Sequence, residues 1–457
     1  MSEKGFIIEL IALIRLEREG DLAEKLEEMA VQDIAEAMSQ LDEPEERQKI
    51  LTTLPEERRT DTFAYLSLGL QREVLASLDN KEARRILHEL VPDDRTAFLE
   101  NLDPEELEGF LKLLEPQDLK QSLKLLGYPE ESIGRLMTPR FVSVRPEWTV
   151  ARALDHIRHE AHRGETINFV FVTDERGRLL DAIKLKDFIL ARQDARVQKL
   201  MDEEFYSVQA SADREEAVQV IQHYDINTLA VTDKNGMLLG IVTVDDIMDV
   251  AQEEFTEDFH KLGATGSVNV SIREASAGFL YRKRIGWLMI LVLVNLVSGI
   301  AIGLFEAAIE AVVALVFFLP LIIASSGNAG SQSATLMVRA LATGDVEAKD
   351  WLWLWGKEFT VALALGVTMG LAVSLIGMWR GGPTLGTELA MVVGLAMLAV
   401  VIMGAMLGML LPFILERLDM DPATASTPLI TSVADVVGIL IYFSIASAIL
   451  TLPSPAT

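Results

Sequence analysis

Three hydrophobic patterns succeed one another along the chain. In the first of them, residues 1–130, leucines recur every twelve positions, at Leu54, Leu66, Leu78, Leu90, Leu102, Leu114 and Leu126. Most are followed by a helix-start signature: Pro55-Glu56-Glu57, Asp79-Asn80-Lys81-Glu82, Asp103-Pro104-Glu105-Glu106 and Glu115-Pro116-Gln117-Asp118. A polar cap, a first-turn proline and acids at the positive helix end each favour initiation. Helices of about two turns cannot bury an apolar face alone, so the spacing predicts an α-helical superhelix of stacked pieces. Such stacks serve as docking surfaces more readily than as catalysts.

The second pattern is a duplicated one, covering residues 131–194 and 195–250. Leu136-Met137 returns as Leu200-Met201, and Phe141-Val142-Ser143-Val144 as Phe205-Tyr206-Ser207-Val208, both at an offset of 64. Val172-Thr173-Asp174 with Gly177 matches Val231-Thr232-Asp233 with Gly236, and Asp187-Phe188-Ile189 matches Asp246-Ile247-Met248. Each copy reads strand, helix, strand, turn, strand, helix, an α+β unit. The pair resembles a tandem CBS module, a type that senses nucleotides or metabolites. Gly240-Ile241-Val242-Thr243-Val244-Asp245-Asp246 looks like the adenosine site of such a module, with Thr243 toward phosphate and Asp246 toward ribose. That resemblance implies ATP as a ligand of the second repeat. The first repeat has Lys184 where Thr or Ser would stand, which leaves at most one nucleotide site; a pair used only for dimerisation and relay is the alternative.

The third pattern is a set of apolar runs at 285–304, 308–338, 359–379, 388–412 and 429–451. Each is long enough, at about 1.5 Å per residue, to cross about 30 Å of hydrocarbon as a helix. The reading is thus multi-domain: a helical superhelix, a tandem α+β pair, a connecting helix over 251–284, and a five-helix all-α transmembrane domain over 285–457. Only the second run is interrupted, by Ser325-Ser326-Gly327-Asn328-Ala329-Gly330-Ser331-Gln332, which predicts a break where backbone carbonyls line a cavity. Arg282, Lys283, Arg284, Arg339, Lys349, Lys357 and Arg417 fall on one side of the five spans, and Arg380 alone on the other. The positive-inside bias places the N-terminus in the cytosol and the C-terminus outside, in a multi-pass protein of the cytoplasmic membrane. Trp351, Trp353 and Trp355 precede the third run as an interfacial belt. Residues 1–20 mix charges into an amphipathic helix pattern, with no cleavable signal.

Charge separates the two halves as sharply as hydropathy does. Five basic and eleven acidic residues lie beyond Arg284, so residues 1–284 carry −21 of the total −27. Phosphate is repelled by such a surface, which argues against nucleic acid as a partner. Divalent cations relieve the crowding of carboxylates; added solubility is the simpler use of the same charge. The absence of cysteine excludes disulfides, thiolate zinc sites and thiol catalysis. The acids are densest from Asp245 to Asp258, where helical spacing puts Asp246, Asp249, Glu253 and Glu257 on one face. That run is either a solvated face or an ion sensor leading into the membrane.

Inside the apolar half, Asp435 stands near the middle of the last span. An unpartnered carboxylate there costs at least about 2.5–3.5 kcal/mol, so it needs a partner helix, water or an ion. Thr427, Thr431 and Asp435 follow at i, i+4 and i+8, an oxygen-only stripe with no membrane-embedded Lys or Arg to pair with it. Oxygen donors suit a hard cation, Mg²⁺ or Ca²⁺, and two such stripes in a dimer would supply a charge of −2. Co²⁺, Mn²⁺ or Zn²⁺ would more often recruit His or Cys, and no His lies beyond His260. A membrane enzyme would need a catalytic set that the spans lack, and an anion channel would need basic pore residues.

Leu319-Pro320, Ser326-Gly327-Asn328-Ala329-Gly330-Ser331-Gln332-Ser333-Ala334-Thr335-Leu336, Arg339-Ala340-Leu341-Ala342-Thr343, Leu411-Pro412 and Pro428…Asp435…Gly438…Tyr442 resemble the MgtE family of Mg²⁺ channels. Ser326 departs from a second glycine common at that position. The resemblance spans essentially the whole chain. It implies a homodimeric channel with a pore lined by the second and fifth spans, where Asp435, Thr431, Thr427, Asn328 and Gly327 would meet the ion. It further implies a gate held shut by cytosolic Mg²⁺ on Asp93 or Asp94, Asp225, Asp246, Asp249, Glu254, Glu257 and Asp258.

Overall fold

The computed structural model describes residues 3–450 apart from 17, 42, 162–163, 267–271, 273–274 and 419. The chain folds as two units, Met1–Ala251 and Gln252–Thr457.

Among the described residues, the first unit begins with ten short helices, from Glu3–Arg15 to Pro116–Leu126. Prolines open the helices Pro44–Thr53, Pro92–Glu100, Pro104–Leu111 and Pro116–Leu126, where a missing N–H costs nothing. Asp79 caps the next helix by accepting from the Lys81 and Glu82 amides at 2.9 and 2.8 Å. The repeated leucines sit at the ends of these helices. Leu54, Leu78 and Leu90 adopt extended backbone as C-caps, which stops the helix and turns the side chain inward. Leu54, Leu66, Leu90, Leu102 and Leu114 are buried in one continuous apolar core. A period of twelve is therefore one helix of nine or ten residues plus its connection.

Two three-stranded sheets follow. In the first, β1 (Ser143–Val144) runs parallel to β2 (Phe169–Thr173), and β2 runs antiparallel to β3 (Leu179–Lys184). The second repeats this with β4 (Ser207–Gln209), β5 (Thr228–Thr232) and β6 (Leu238–Thr243). Asp174 and Asp233 each fold the same turn, accepting two backbone amides, while Gly177 and Gly236 take the positive φ that the turn demands. Phe171, Leu179, Ala230 and Ile241 form a shared core between the sheets. β6 passes directly into a long connecting helix, Val244–Leu262.

The second unit holds five apolar helices of membrane-spanning length: Ala277–Gly303, Ala314–Ala342, Ala348–Pro383, Leu385–Arg417 and Thr427–Ile449. Several bounds differ from the hydropathy reading. The connecting segment expected over 251–284 is two helices instead of one, because Val244–Leu262 ends early and the first span already begins at Ala277; residues 267–271 and 273–274 lie outside the described residues. Arg282, Lys283 and Arg284 thus ride on the first span itself, as long cationic side chains can at a helix end. The tryptophans lie within the third span, and a separate short helix, Glu306–Ala311, precedes the second. Residues 451–457, part of the expected outer terminus, lie outside the described residues.

The expected break in the second span does not form. Ala314–Ala342 is one helix through Ser325–Gln332, so its carbonyls stay within the helical ladder instead of lining a cavity. The small residues serve close packing. A Cβ on Gly404 would overlap the Ser326 carbonyl oxygen, and one on Gly408 would overlap that of Gly330. On the other side, a Cβ on Gly327 would lie 2.9 Å from Thr431 Cγ2. The second span therefore touches the fourth and the fifth almost backbone to backbone, the contact that small residues permit in lipid. Ser326 Oγ donates to the Val400 carbonyl at 3.1 Å, and the buried Tyr442 hydroxyl to the Leu315 carbonyl at 2.9 Å.

Gly408→Ala is expected to destabilise the membrane unit by about 1–3 kcal/mol, the overlap outweighing the gain in helix propensity. An earlier melting transition of the detergent-solubilised protein would record it. Gly299→Ala, where a Cβ meets nothing within 4 Å, is the control. Identical melts for both variants would overturn the packing argument.

Candidate ion sites

In the first unit, carboxylates gather at two helix N-termini. Pro92 starts one helix and so places Asp93 and Asp94 in its first turn; β6 runs into the connecting helix and so places Asp245 and Asp246 in that helix's first turn. First-turn acids gain from the helix dipole, yet burial and mutual repulsion prevail here. Burial first, then Asp246, Asp94 and Glu165, push the Asp93 carboxyl well above the ordinary range. Asp94 is raised to about 7 by burial and then by Asp246, Glu165, Asp245 and Asp249. Asp246 is raised to about 6, again by burial first, although the Thr243 hydroxyl donates to it at 2.7 Å. Glu165 and Asp249 are raised as well, with desolvation the largest cause in each.

The neighbouring arginines relieve this set only in part: Arg140 lowers Glu165 against burial and the charge of Asp246, and Arg95 divides its charge between Asp118 and Asp93. Arg95 is fully buried, and its guanidinium is committed to the Leu87 carbonyl at 3.0 Å, Ser122 at 3.1 Å and Asp118 at 3.3 Å. Asp93 Oδ1 is buried and meets no hydrogen-bond donor among the described residues. A buried, unsatisfied carboxylate oxygen among like charges is a configuration that a divalent cation would repair.

Of the residues predicted for the cytosolic site, the structure thus brings Asp93, Asp94, Asp246 and Asp249 together. Asp225 is exposed, closing the helix Arg214–Tyr224 in the left-handed conformation at φ 50°, and does not figure among the carboxylates that perturb the others. Glu165 joins the set from the loop before β2, a position with no partner in the repeat and no periodic signal. Asp245 was legible only as one member of an acidic run.

Glu254, Glu257 and Asp258 lie in the second unit. Asp258 is raised to about 6 by burial and then by Asp421. Lys261 bridges Glu257 at 2.8 Å and Asp421 at 2.5 Å. No periodicity in the sequence ties Asp421, one of several acids between the fourth and fifth spans, to the connecting helix. Asp421 folds the turn Pro422–Thr424 by accepting from the Ala423 amide at 2.7 Å, just ahead of the fifth span.

The membrane stripe occupies one side of that span. Thr427 is its first residue, Thr431 donates to the Pro428 carbonyl at 3.0 Å, and Asp435 is half-buried with no hydrogen bond or ion pair among the described residues. Gly327 touches this stripe as a spacer against Thr431, while Asn328 is exposed. The nucleotide pair Thr243 and Asp246 is bonded to itself, and Asp246 also belongs to the acidic set. His88, Glu115 and Asp118 offer ligand atoms within 4.8 Å of one another, but Asp118 is already paired with His88 at 2.6 Å and with Arg95.

Three family models cover this architecture: a divalent cation transporter model over residues 319–445, an MgtE intracellular N domain over 11–131, and CBS domains over 133–194 and 197–253. The magnesium transporter MgtE of Bacillus subtilis (strain 168) is 33% identical over 449 residues, 98% of each chain. The chain belongs to the MgtE family. Its Thermus thermophilus relative, also a magnesium transporter MgtE, is 41% identical over 323 residues, 71% of each chain. Among solved structures, the cytosolic domain of the Mg²⁺ channel MgtE in complex with ATP is 36% identical with a TM-score of 0.50, covering 53% of this chain and 99% of that one. The soluble part of a magnesium transporter is 28% identical with a TM-score of 0.51, covering 55% and 99%. As an MgtE protein the chain is a membrane transporter of Mg²⁺, not an enzyme, built from a helical N domain, a CBS pair and apolar spanning helices.

The raised carboxyls give the acidic set a definite pH signature. Asp94 binds its proton more tightly in the folded chain, so its contribution is complete below the ordinary value of 3.8 and is lost as pH rises through about 7. Asp94→Asn should therefore stabilise the chelator-treated protein increasingly between roughly pH 4 and pH 7, with a constant gain above that. Melting curves of both proteins across that range check it, and a constant difference would remove the argument.

Proposed function

We propose that this MgtE chain is a Mg²⁺-selective channel of the cytoplasmic membrane, closed by cytosolic Mg²⁺ bound to its acidic faces. The observation that carries the gating half is the orphaned Asp93 oxygen among Asp94, Glu165 and Asp246, with its nearest arginine committed elsewhere. A cation that holds these carboxylates together only in the closed arrangement shifts the population toward it, by its difference in affinity between the two states. When cytosolic Mg²⁺ falls, repulsion releases them. Glu254, Glu257, Asp258 and Asp225 act as further ligands in this reading. In it residues 1–130, the repeats 131–194 and 195–250, and the segment 251–284 form the sensor, and 285–457 form the pore.

Conduction runs along Thr427, Thr431 and Asp435. Two copies about a two-fold axis place two carboxylates on one path, which supports a homodimer as the working state. The donors are all oxygen, and a hydrated Mg²⁺ that gives up water reluctantly suits hydroxyls and a single carboxylate per chain. The basic residues flanking the spans support a cytosolic N-terminus and an outer C-terminus. ATP is the ligand proposed for Thr243 and Asp246. Its ribose would compete with the Thr243 hydroxyl for Asp246, so nucleotide and cation share one carboxylate.

Asp435→Ala is expected to abolish Mg²⁺ rescue of a transport-deficient strain while the protein still reaches the membrane. Growth equal to wild type would end the pore assignment. For the gate, Mg²⁺ should protect the 245–283 segment from protease, and Asp93→Asn with Asp246→Asn should raise the Mg²⁺ needed by roughly 5- to 150-fold, the usual span of a coupling free energy. Equal cleavage of the wild type with and without Mg²⁺ would remove the gating reading.

A further inference from the structure

The connecting helix ends in a charge set that is only partly balanced. Lys261, in its last turn, holds Glu257 one turn back at 2.8 Å and Asp421 at 2.5 Å. Asp258 lies within electrostatic reach of the same ammonium, and Glu254 within reach of Asp258. The side chains of Lys261, Glu257 and Asp421 are 31%, 25% and 37% exposed, so the bridge is partly withdrawn from water and less screened than a surface pair. Three carboxylates therefore face one monovalent cation, with Glu254 behind Asp258. Asp421 is also the residue whose other oxygen folds the turn Pro422–Thr424, after which Ser426 and Thr427 begin the fifth span. One ammonium thus fastens the end of the connecting helix to the segment leading into the span that carries Asp435.

We propose that Lys261 is a tethered stand-in for a divalent cation, a positioning residue that holds the connecting helix to Asp421 when Mg²⁺ is scarce and yields these carboxylates to Mg²⁺ when it is plentiful. The inference rests on the reading of the connecting helix as part of the sensor. An ammonium is a compact point charge on a flexible stem, able to bridge two carboxylates without fixed geometry and to swing aside. It brings one positive charge where the surrounding acids could accept two or more. The fastening is consequently weaker than one made by Mg²⁺ but never absent, which gives the gate a floor of closure independent of the ion. Because Lys261 and Mg²⁺ draw on the same oxygens, the lysine also raises the Mg²⁺ concentration at which the ion takes over.

The test uses the full-length protein in lipid nanodiscs, with protease cleavage of the 245–283 segment as the readout. In EDTA at low salt, Lys261→Met, which keeps the stem and removes the charge, should be cleaved roughly three- to tenfold faster than wild type, the scale of one partly buried ion pair. Lys261→Arg should behave as wild type. Saturating Mg²⁺ should return Lys261→Met to the wild-type rate, with its midpoint at lower Mg²⁺. Asp421→Asn should be cleaved fast in EDTA and respond poorly to Mg²⁺, since it loses a ligand as well as the bridge. Wild-type cleavage of Lys261→Met in EDTA would overturn the proposal, as would fast cleavage that Mg²⁺ fails to slow. If the wild type itself ignores Mg²⁺, the sensor reading fails, and the EDTA comparison alone decides whether Lys261 fastens the helix.

Discussion

The near-contact of backbones along the second span fixes everything around the proposed ion path. Between helices in lipid there is no hydrophobic force to draw surfaces together, so association relies on dispersion and shape. Gly404 and Gly408 meet Ser326 and Gly330 on one side, while Gly327 meets Thr431 on the other. The Ser326 and Tyr442 hydroxyls, each donating to a carbonyl of a neighbouring helix, pin the register of the same contact. A span clasped on two sides has no room to unwind. Its backbone carbonyls are consumed by its own ladder, and the proposed ion path therefore draws on side-chain oxygens. The glycines therefore act on the ion path indirectly, by deciding how near Thr431 may come.

The first unit obeys a different constraint, that like charges at helix N-termini can be gathered only at a Coulomb and desolvation cost. Holding Asp94 at about 7 in place of 3.8 stores on the order of 4 kcal/mol against its ionised form. Typical couplings between sites amount to about 1–3 kcal/mol, so partial relief of this one carboxyl would suffice to move a two-state equilibrium. The helix dipoles make the gathering tolerable without cancelling it. Proline at the head of one helix and the strand-to-helix junction at the head of the other are the local features that aim Asp93, Asp94 and Asp246 at one another.

Where a signal is local, the sequence was readable. The twelve-residue leucine period, the prolines and the Asp caps name the helices of the first region, and the duplicated Asp-x-x-Gly turn names both sheets. That the leucines close their helices instead of lying within them was not visible, because a period fixes spacing and leaves phase open. The glycine run of the second span was misread for a related reason. Glycine permits both unwinding and close approach, and the deciding partners, Gly404 and Gly408, lie nearly eighty residues further on, within another apolar run. Span starts were set too late at Ala277 and Ala348 because hydropathy discounts charged first turns, although a helix can carry them in the interface. Glu165 and Asp421 carry no local signal because each is an acid in a connection, brought to its neighbours by tertiary folding alone.

The two proposed cation sites differ in the way their tasks require. A conducting site must bind weakly enough to release its ion within the time of transit, and a sensor must hold its ion long enough to bias a conformation. Asp435 offers one half-buried carboxylate and a row of hydroxyls, a set that coordinates through water and lets go. Asp93, Asp94, Glu165 and Asp246 offer several carboxylates, one with a buried oxygen that meets no donor among the described residues, a set that gains most when a cation arrives. If the donor sets were exchanged, the pore would trap its ion and the sensor would fail to register one. Donor number and burial, more than donor type, thus separate passage from regulation in a chain that uses oxygen for both.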